Sequence, residues 1–203
     1  MGMDKWYNRK ATRLPGYDYS EAGAYFLTIC TQDHRCILSY IVGTGVPDGP
    51  NHITSVGTGV PDGPNHITSV GTGVPDGPQI RLTTYGKIAD KYIRQISEFY
   101  DYLSVADYVI MPNHIHILLR VYEQTEGPSG RPVPTAQNSI VSRFVSTFKR
   151  FCNKEYGKNI WQPRSYDHII RDQKDFDRHL KYIYENPFGW QKDELYTEPE
   201  PPM

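Results

Sequence analysis

The chain has 203 residues, 38% of them hydrophobic and 13% aromatic, which suits a single globular domain with its own core. No apolar run approaches the roughly 20 residues of a membrane helix, and Met1–Lys10 lacks the apolar stretch of a signal peptide, so the expected compartment is the cytoplasm. A net charge of −1 gives no chain-wide signal for nucleic acid, yet residues 138–182 hold ten Lys/Arg against five Asp/Glu.

In chain order, Tyr25–Thr31 is apolar and β-prone and predicts a strand. Cys30, Cys36 and Cys152 are odd in number and form no C-x-x-C pair, which argues against a disulfide framework or a thiolate zinc site. Residues 42–78 interrupt the pattern. The unit Val42–Ser55 recurs as Val56–Ser69, and a third copy breaks off at Pro78. It is rich in Gly and Pro and too poor in apolar surface to offset the entropy of ordering, so it reads as a loosely structured insertion within the domain. His52 and His66 inside it are not taken as metal ligands.

Gly86–Phe99 carries Ile88, Tyr92, Ile96 and Phe99 at helical spacing. Leu103–Met111 and His114–Val121 predict a hairpin turned by Pro112-Asn113. Gly127–Gln137 reads as a loop. Ser139–Asn153 predicts an amphipathic helix with Ile140, Phe144, Phe148 and Phe151 on one face and Arg143, Arg150 and Lys154 on another. Tyr166–Arg171 predicts a short strand, and Asp172–Asn186 a last helix closed by Pro187. Residues 193–203, with Asp193, Glu194, Glu198 and Glu200 among prolines, read as a flexible acidic tail to a domain spanning 1–192. The order strand, helix, hairpin, helix, strand is the split βαβ, ferredoxin-like α+β pattern with a central antiparallel sheet, plus a C-terminal helix. That fold implies no function by itself.

Two patterns carry chemistry. His114 and His116 alternate with Ile115 and Ile117 in an apolar strand, so both imidazoles leave one face with Cα atoms about 7 Å apart. Two imidazoles so placed can share a divalent ion, with a third ligand from elsewhere. On the last helix, Tyr182 and Asn186 are four residues apart and share a flank with Asp175 and His179, beside an apolar stripe of Phe176, Leu180 and Ile183. A phenol near its ordinary pKa of about 10 is only about 0.1% ionised at pH 7. It becomes an effective nucleophile when a metal polarises the phosphate under attack. Spacing alone does not choose Tyr182 over Tyr184.

Taken together, Tyr25–Thr31, Tyr108–Leu118, Ile160–Arg171 and Tyr182–Pro187 resemble the REP-associated tyrosine transposases, a branch of the HUH single-tyrosine (IS200-like) transposases. The opening Arg9, Lys10 and Arg13–Tyr17 are similar to that family's first segment. Residues 42–78 depart from its pattern. The resemblance implies a nickase and strand-transferase acting on single-stranded, hairpin-forming DNA through a 5′-phosphotyrosine. It assigns the nucleophile to Tyr182 and the metal ligands to His114, His116 and Asn186, with Mg²⁺ or Mn²⁺ as the ion. It further implies DNA contacts by Arg9, Lys10, Arg13, Arg143, Arg150, Lys154 and Arg164, a place at the nucleoid, and a monomer or homodimer. The alternative is a domesticated module that binds hairpin DNA without turnover.

Overall fold

The computed structural model describes residues 17–43, 78–123 and 139–199. Four strands form one antiparallel sheet: β1 (Gly23–Cys30), β4 (Leu103–Ile110), β5 (His114–Val121) and β6 (Tyr166–Ile170), in the order β4-β5-β1-β6. With helix α1 (Thr84–Arg94) between β1 and β4 and helix α3 (Ile140–Tyr156) between β5 and β6, this is the expected ferredoxin-like α+β arrangement. The two central strands, β1 and β5, are buried almost end to end because both faces of the sheet are covered.

Strand alternation sorts the two cores. Tyr25, Leu27, Ile29, Ile115, Ile117 and Leu119 face α1 and α3, where they meet Ala89, Ile93, Phe144 and Phe148. Phe26, Val109, Met111 and Leu118 face the other way, against Phe176 and Ile183 of α4 (Gln173–Glu185) and Trp190 beyond it. The stripe expected on α4 is corrected at Leu180, which is 36% exposed. Trp190 supplies the missing apolar contact.

Capping sets the helix ends. Thr83, Ser139 and Asp172 accept hydrogen bonds from the amides of Gly86, Ser142 and Asp175. Gly157 ends α3 in the left-handed region at φ 71°. The single helix expected over Gly86–Phe99 starts earlier and breaks at Gln95, giving α1 and a short α2 (Ile96–Phe99). Pro187 does not stop the chain's winding. It sits in the first turn of a 3-10 segment, Asn186–Lys192, where no amide proton is needed.

Two strands were not expected. β2 (Ser39–Val42) pairs antiparallel with β3 (Gln79–Leu82), so Val42, where the repeat begins, is ordered in a ladder. The rest of that segment, 44–77, lies outside the described residues, as does 124–138 with the expected Gly127–Gln137 loop. The tail is also corrected over 193–199. Leu195 is buried, Tyr196 packs on Trp190, and Asn113 Nδ2 donates to the Leu195 carbonyl at 2.8 Å.

Gly86 shows where the backbone leaves no room: a Cβ there would collide with the Leu38 carbonyl, itself held by Thr83. Gly86→Ala is expected to cost about 1–3 kcal/mol through forced displacement of packed backbone. A denaturant midpoint equal to that of the unsubstituted protein would contradict this close approach.

Candidate active site

The α4 face of the sheet carries the polar cluster. β1 and β5 pair so that Thr28 lies opposite His116 and Cys30 opposite His114. His114 and His116 are 0% and 3% exposed, and their Nε2 atoms face each other at 3.0 Å. Each ring is held from behind. Asn113 Nδ2 is committed to the carbonyls of Leu195 and His34, which turns its Oδ1 toward His114 Nδ1 at 2.8 Å. His114 Nδ1–H must therefore be the donor. His116 Nδ1 lies 2.9 Å from Thr28 Oγ1. In the tautomer in which His116 Nδ1–H donates to that hydroxyl, two Nε2 lone pairs point into one small space, an arrangement that suits a cation between them.

The spacing fits an ion. Two ligands bound at roughly 2.1 Å and at a right angle lie roughly 3.0 Å apart. Burial pushes the His114 pKa down to about 3, with His34 adding to the effect. Burial, then His114, also holds His116 well below the ordinary range. Both imidazoles are thus neutral at neutral pH, the form able to ligate an ion.

The depressed values have a thermodynamic consequence. The unfolded histidines protonate near pH 6.5 while the folded ones stay neutral, so the unfolded state binds more protons below that pH. Stability is then fully present above about pH 6.5 and is lost as pH falls toward 3, at about 1.4 kcal/mol per pH unit for each histidine. Urea unfolding in EDTA at pH 7 and pH 5 is expected to show this slope, reduced in His114→Asn. An unchanged slope in that variant would count against a buried neutral His114.

α4 brings the remaining groups. Asn186, at its C-terminal end, is buried, and its Oδ1 has no hydrogen-bond partner. A bare amide oxygen at such a position suits a hard cation. Asn186 Nδ2 donates to Asp193 Oδ2 at 2.7 Å, and the Tyr182 hydroxyl donates to the same oxygen at 3.3 Å. Tyr182 stands edge-on to His116, ring centroids 5.2 Å apart, and is 42% exposed. Burial first, then the carboxylates of Asp193 and Glu194, hold its pKa above that of a free tyrosine. Tyr184 instead points away, 58% exposed and beside Phe188. The structure thus gathers Tyr182, not Tyr184, with the histidine pair.

Asp193 was missed as a site residue because the sequence reading placed it in the tail. Its carboxylate and the ligand nitrogens of His114 and His116 lie within 4.8 Å of one another. No spacing rule announces it, since a 3-10 segment folds it back over α4. A second polar group flanks the pocket. Buried Asp175 accepts from His168 Nε2 at 2.8 Å and from the Arg171 amide, and His179 Nδ1 donates to the Asp175 carbonyl at 2.8 Å. Asp175 Oδ2 is taken by the first two donors and Oδ1 lies 3.3 Å from His179 Nδ1 and 3.5 Å from Arg178 Nη2, so Asp175 anchors His179, although His168, Asp175 and His179 also stand close enough together to hold an ion. Phe26 packs against His116, His179 and Tyr182 and forms the apolar floor of a pocket of about 380 Å³.

The expected DNA-contacting residues divide. Arg143, Arg150, Lys154 and Arg164 are exposed, but the α3 residues sit across the sheet from the histidines. Arg9, Lys10 and Arg13 lie outside the described residues. Trp161 is buried in the core, and Tyr166 lines the site pocket.

Among known proteins, no family profile matches the chain. A Haemophilus influenzae protein without an assigned function is 26% identical over 95% of both chains. An Escherichia coli REP-associated tyrosine transposase is 34% identical over 87 residues, 42% of this chain and 46% of that relative's length. The solved structure of a REP-associated tyrosine transposase bound to a REP hairpin has a TM-score of 0.51 at 19% identity, covering 86% of this chain and 72% of that one.

Proposed function

We propose that the chain is a REP-associated tyrosine transposase, a reading supported by its partial similarity to two such proteins and by a shared fold, and that it is a metal-dependent single-strand DNA endonuclease and strand-transferase acting beside DNA hairpins. The observation that carries this reading is the convergence on one pocket of a phenol, two neutral imidazoles and an unpartnered amide oxygen. His114, His116 and Asn186 would hold the ion, with Asp193 near enough to join them. Mg²⁺ or Mn²⁺ bound there supplies Lewis-acid polarisation of the scissile phosphate.

The chain's own residues do the rest. Tyr182 reaches the phosphate protonated, because burial and two carboxylates disfavour its anion. Asp193 Oδ2, already hydrogen-bonded to the phenol, is the acceptor for its proton. The Tyr182 Oη–P bond forms, the bond from phosphorus to the 3′-oxygen breaks, and that oxygen takes up a proton. The product is a 5′-phosphotyrosine and a free 3′-OH. Because the phosphodiester energy is kept in the new ester, another 3′-OH can reverse the step and join strands. Phe26 and the Asp175-anchored His179 wall the pocket and fix the angle at which α4 presents Tyr182.

The test is a covalent adduct. Labelled single-stranded DNA containing a hairpin, incubated with the protein and Mn²⁺, is expected to give a denaturation-resistant protein–DNA species that EDTA prevents. DNA binding with no adduct in either Mg²⁺ or Mn²⁺ would replace this reading with a binding module.

A further inference from the structure

A groove of about 630 Å³ runs between α3 and the loop 162–165 that leads into β6. It carries Lys149, Arg150 and Arg164 together with the hydroxyl residues Ser142, Ser146 and Ser165, and no acidic side chain is among the described residues that line it. Lys149 is its built element. Its ammonium donates to the carbonyls of Gln162 at 2.7 Å and Arg164 at 3.0 Å, which ties the loop to α3 and leaves a third N–H for an incoming acceptor. Burial lowers its pKa to about 8, so an anion arriving in the groove would also relieve an underpaired charge.

The groove's position relative to the catalytic pocket suggests what fills it. Ser165 lines the groove, and the next residue, Tyr166, lines the pocket that holds Tyr182 and His116. Among the described residues β6 pairs only with β1 and is the edge of the sheet. A single strand can therefore pass from one sheet face to the other around Ser165-Tyr166 without crossing packed core. Resting on the reading given under Proposed function, we infer that the α3 groove holds the backbone phosphates of the DNA strand on one side of the scissile phosphate, led around the β6 edge past Tyr166. Arg150, Arg164 and Lys149 meet the phosphates, and no base is read there. The groove sets how tightly flanking single strand is gripped, whatever its sequence.

The experiment is fluorescence anisotropy in EDTA, where no cleavage occurs, on the full chain. The probes are a hairpin with no extension, the same hairpin with a single-stranded extension on its 5′ side, and one with the extension on its 3′ side. Arg150→Ala/Arg164→Ala is expected to reduce the salt slope for one extended probe by roughly 1.4 and its affinity near 0.1 M salt on the order of tenfold. The unextended hairpin is expected to bind as before. Ser146→Asp, which places an anion in the groove, should weaken the same probe. Methylphosphonate linkages in that extension should weaken binding by the unsubstituted protein and leave the double variant indifferent. Equal losses on all three probes, or none on either extended probe, would overturn the inference. Adduct formation by the unsubstituted protein in Mn²⁺ is scored separately, so a failure of the chemistry and a failure of the groove are distinguishable.

Discussion

Tyr182→Phe is expected to abolish the protein–DNA adduct and reduce cleavage by at least about 10⁴-fold, as loss of a unique nucleophile does, while leaving hairpin binding intact. The substitution removes one oxygen and keeps the ring against His116 and Phe26. The lost hydrogen bond to Asp193 is long, at 3.3 Å, and exposed, so the stability change should stay within about 1 kcal/mol. Binding and folding are thereby separated from chemistry. Tyr184→Phe is the matched control, since that ring faces solvent beside Phe188 and its loss should leave the adduct in place. Metal-dependent cleavage that persists in Tyr182→Phe would point to a water nucleophile and a hydrolase.

The second large effect concerns the ion. His116→Ala and His114→Ala each remove one of two Nε2 donors set 3.0 Å apart, and should weaken Mn²⁺ binding by more than about 100-fold. Asn113→Ala, which only releases the His114 ring from behind, should cost about 10–100-fold. Manganese electron paramagnetic resonance titration reads these affinities without DNA. Cleavage by each variant should track its occupancy. If Mn²⁺ binds His114→Ala as tightly as the unsubstituted protein, the pair is a buried hydrogen-bonded couple and the ion sits elsewhere. Asp193 is then the first group to examine, because its carboxylate already joins Asn186 to Tyr182.

Much of the fold was legible because its signals are local. Alternation in His114–Val121 and the Pro112-Asn113 turn place two imidazoles on one face, whatever packs behind them. The Asp172 cap and Pro187 bracket α4, and a four-residue spacing puts Tyr182 and Asn186 on one flank. What the sequence could not decide was everything that depends on which surfaces meet. The β2–β3 ladder is two four-residue, half-exposed segments separated by the repeat, with no local pattern strong enough to pair them. Asp193 enters the site because Trp190 docks on Met111 and Leu118 and carries the following residues over α4. Leu180 fits the apolar stripe by spacing, yet is 36% exposed. Spacing alone also left Tyr182 and Tyr184 open, and it was the resemblance that assigned Tyr182. Two tyrosines two residues apart on a helix are equivalent by spacing, and only the direction from which the sheet is approached makes one of them face the histidines.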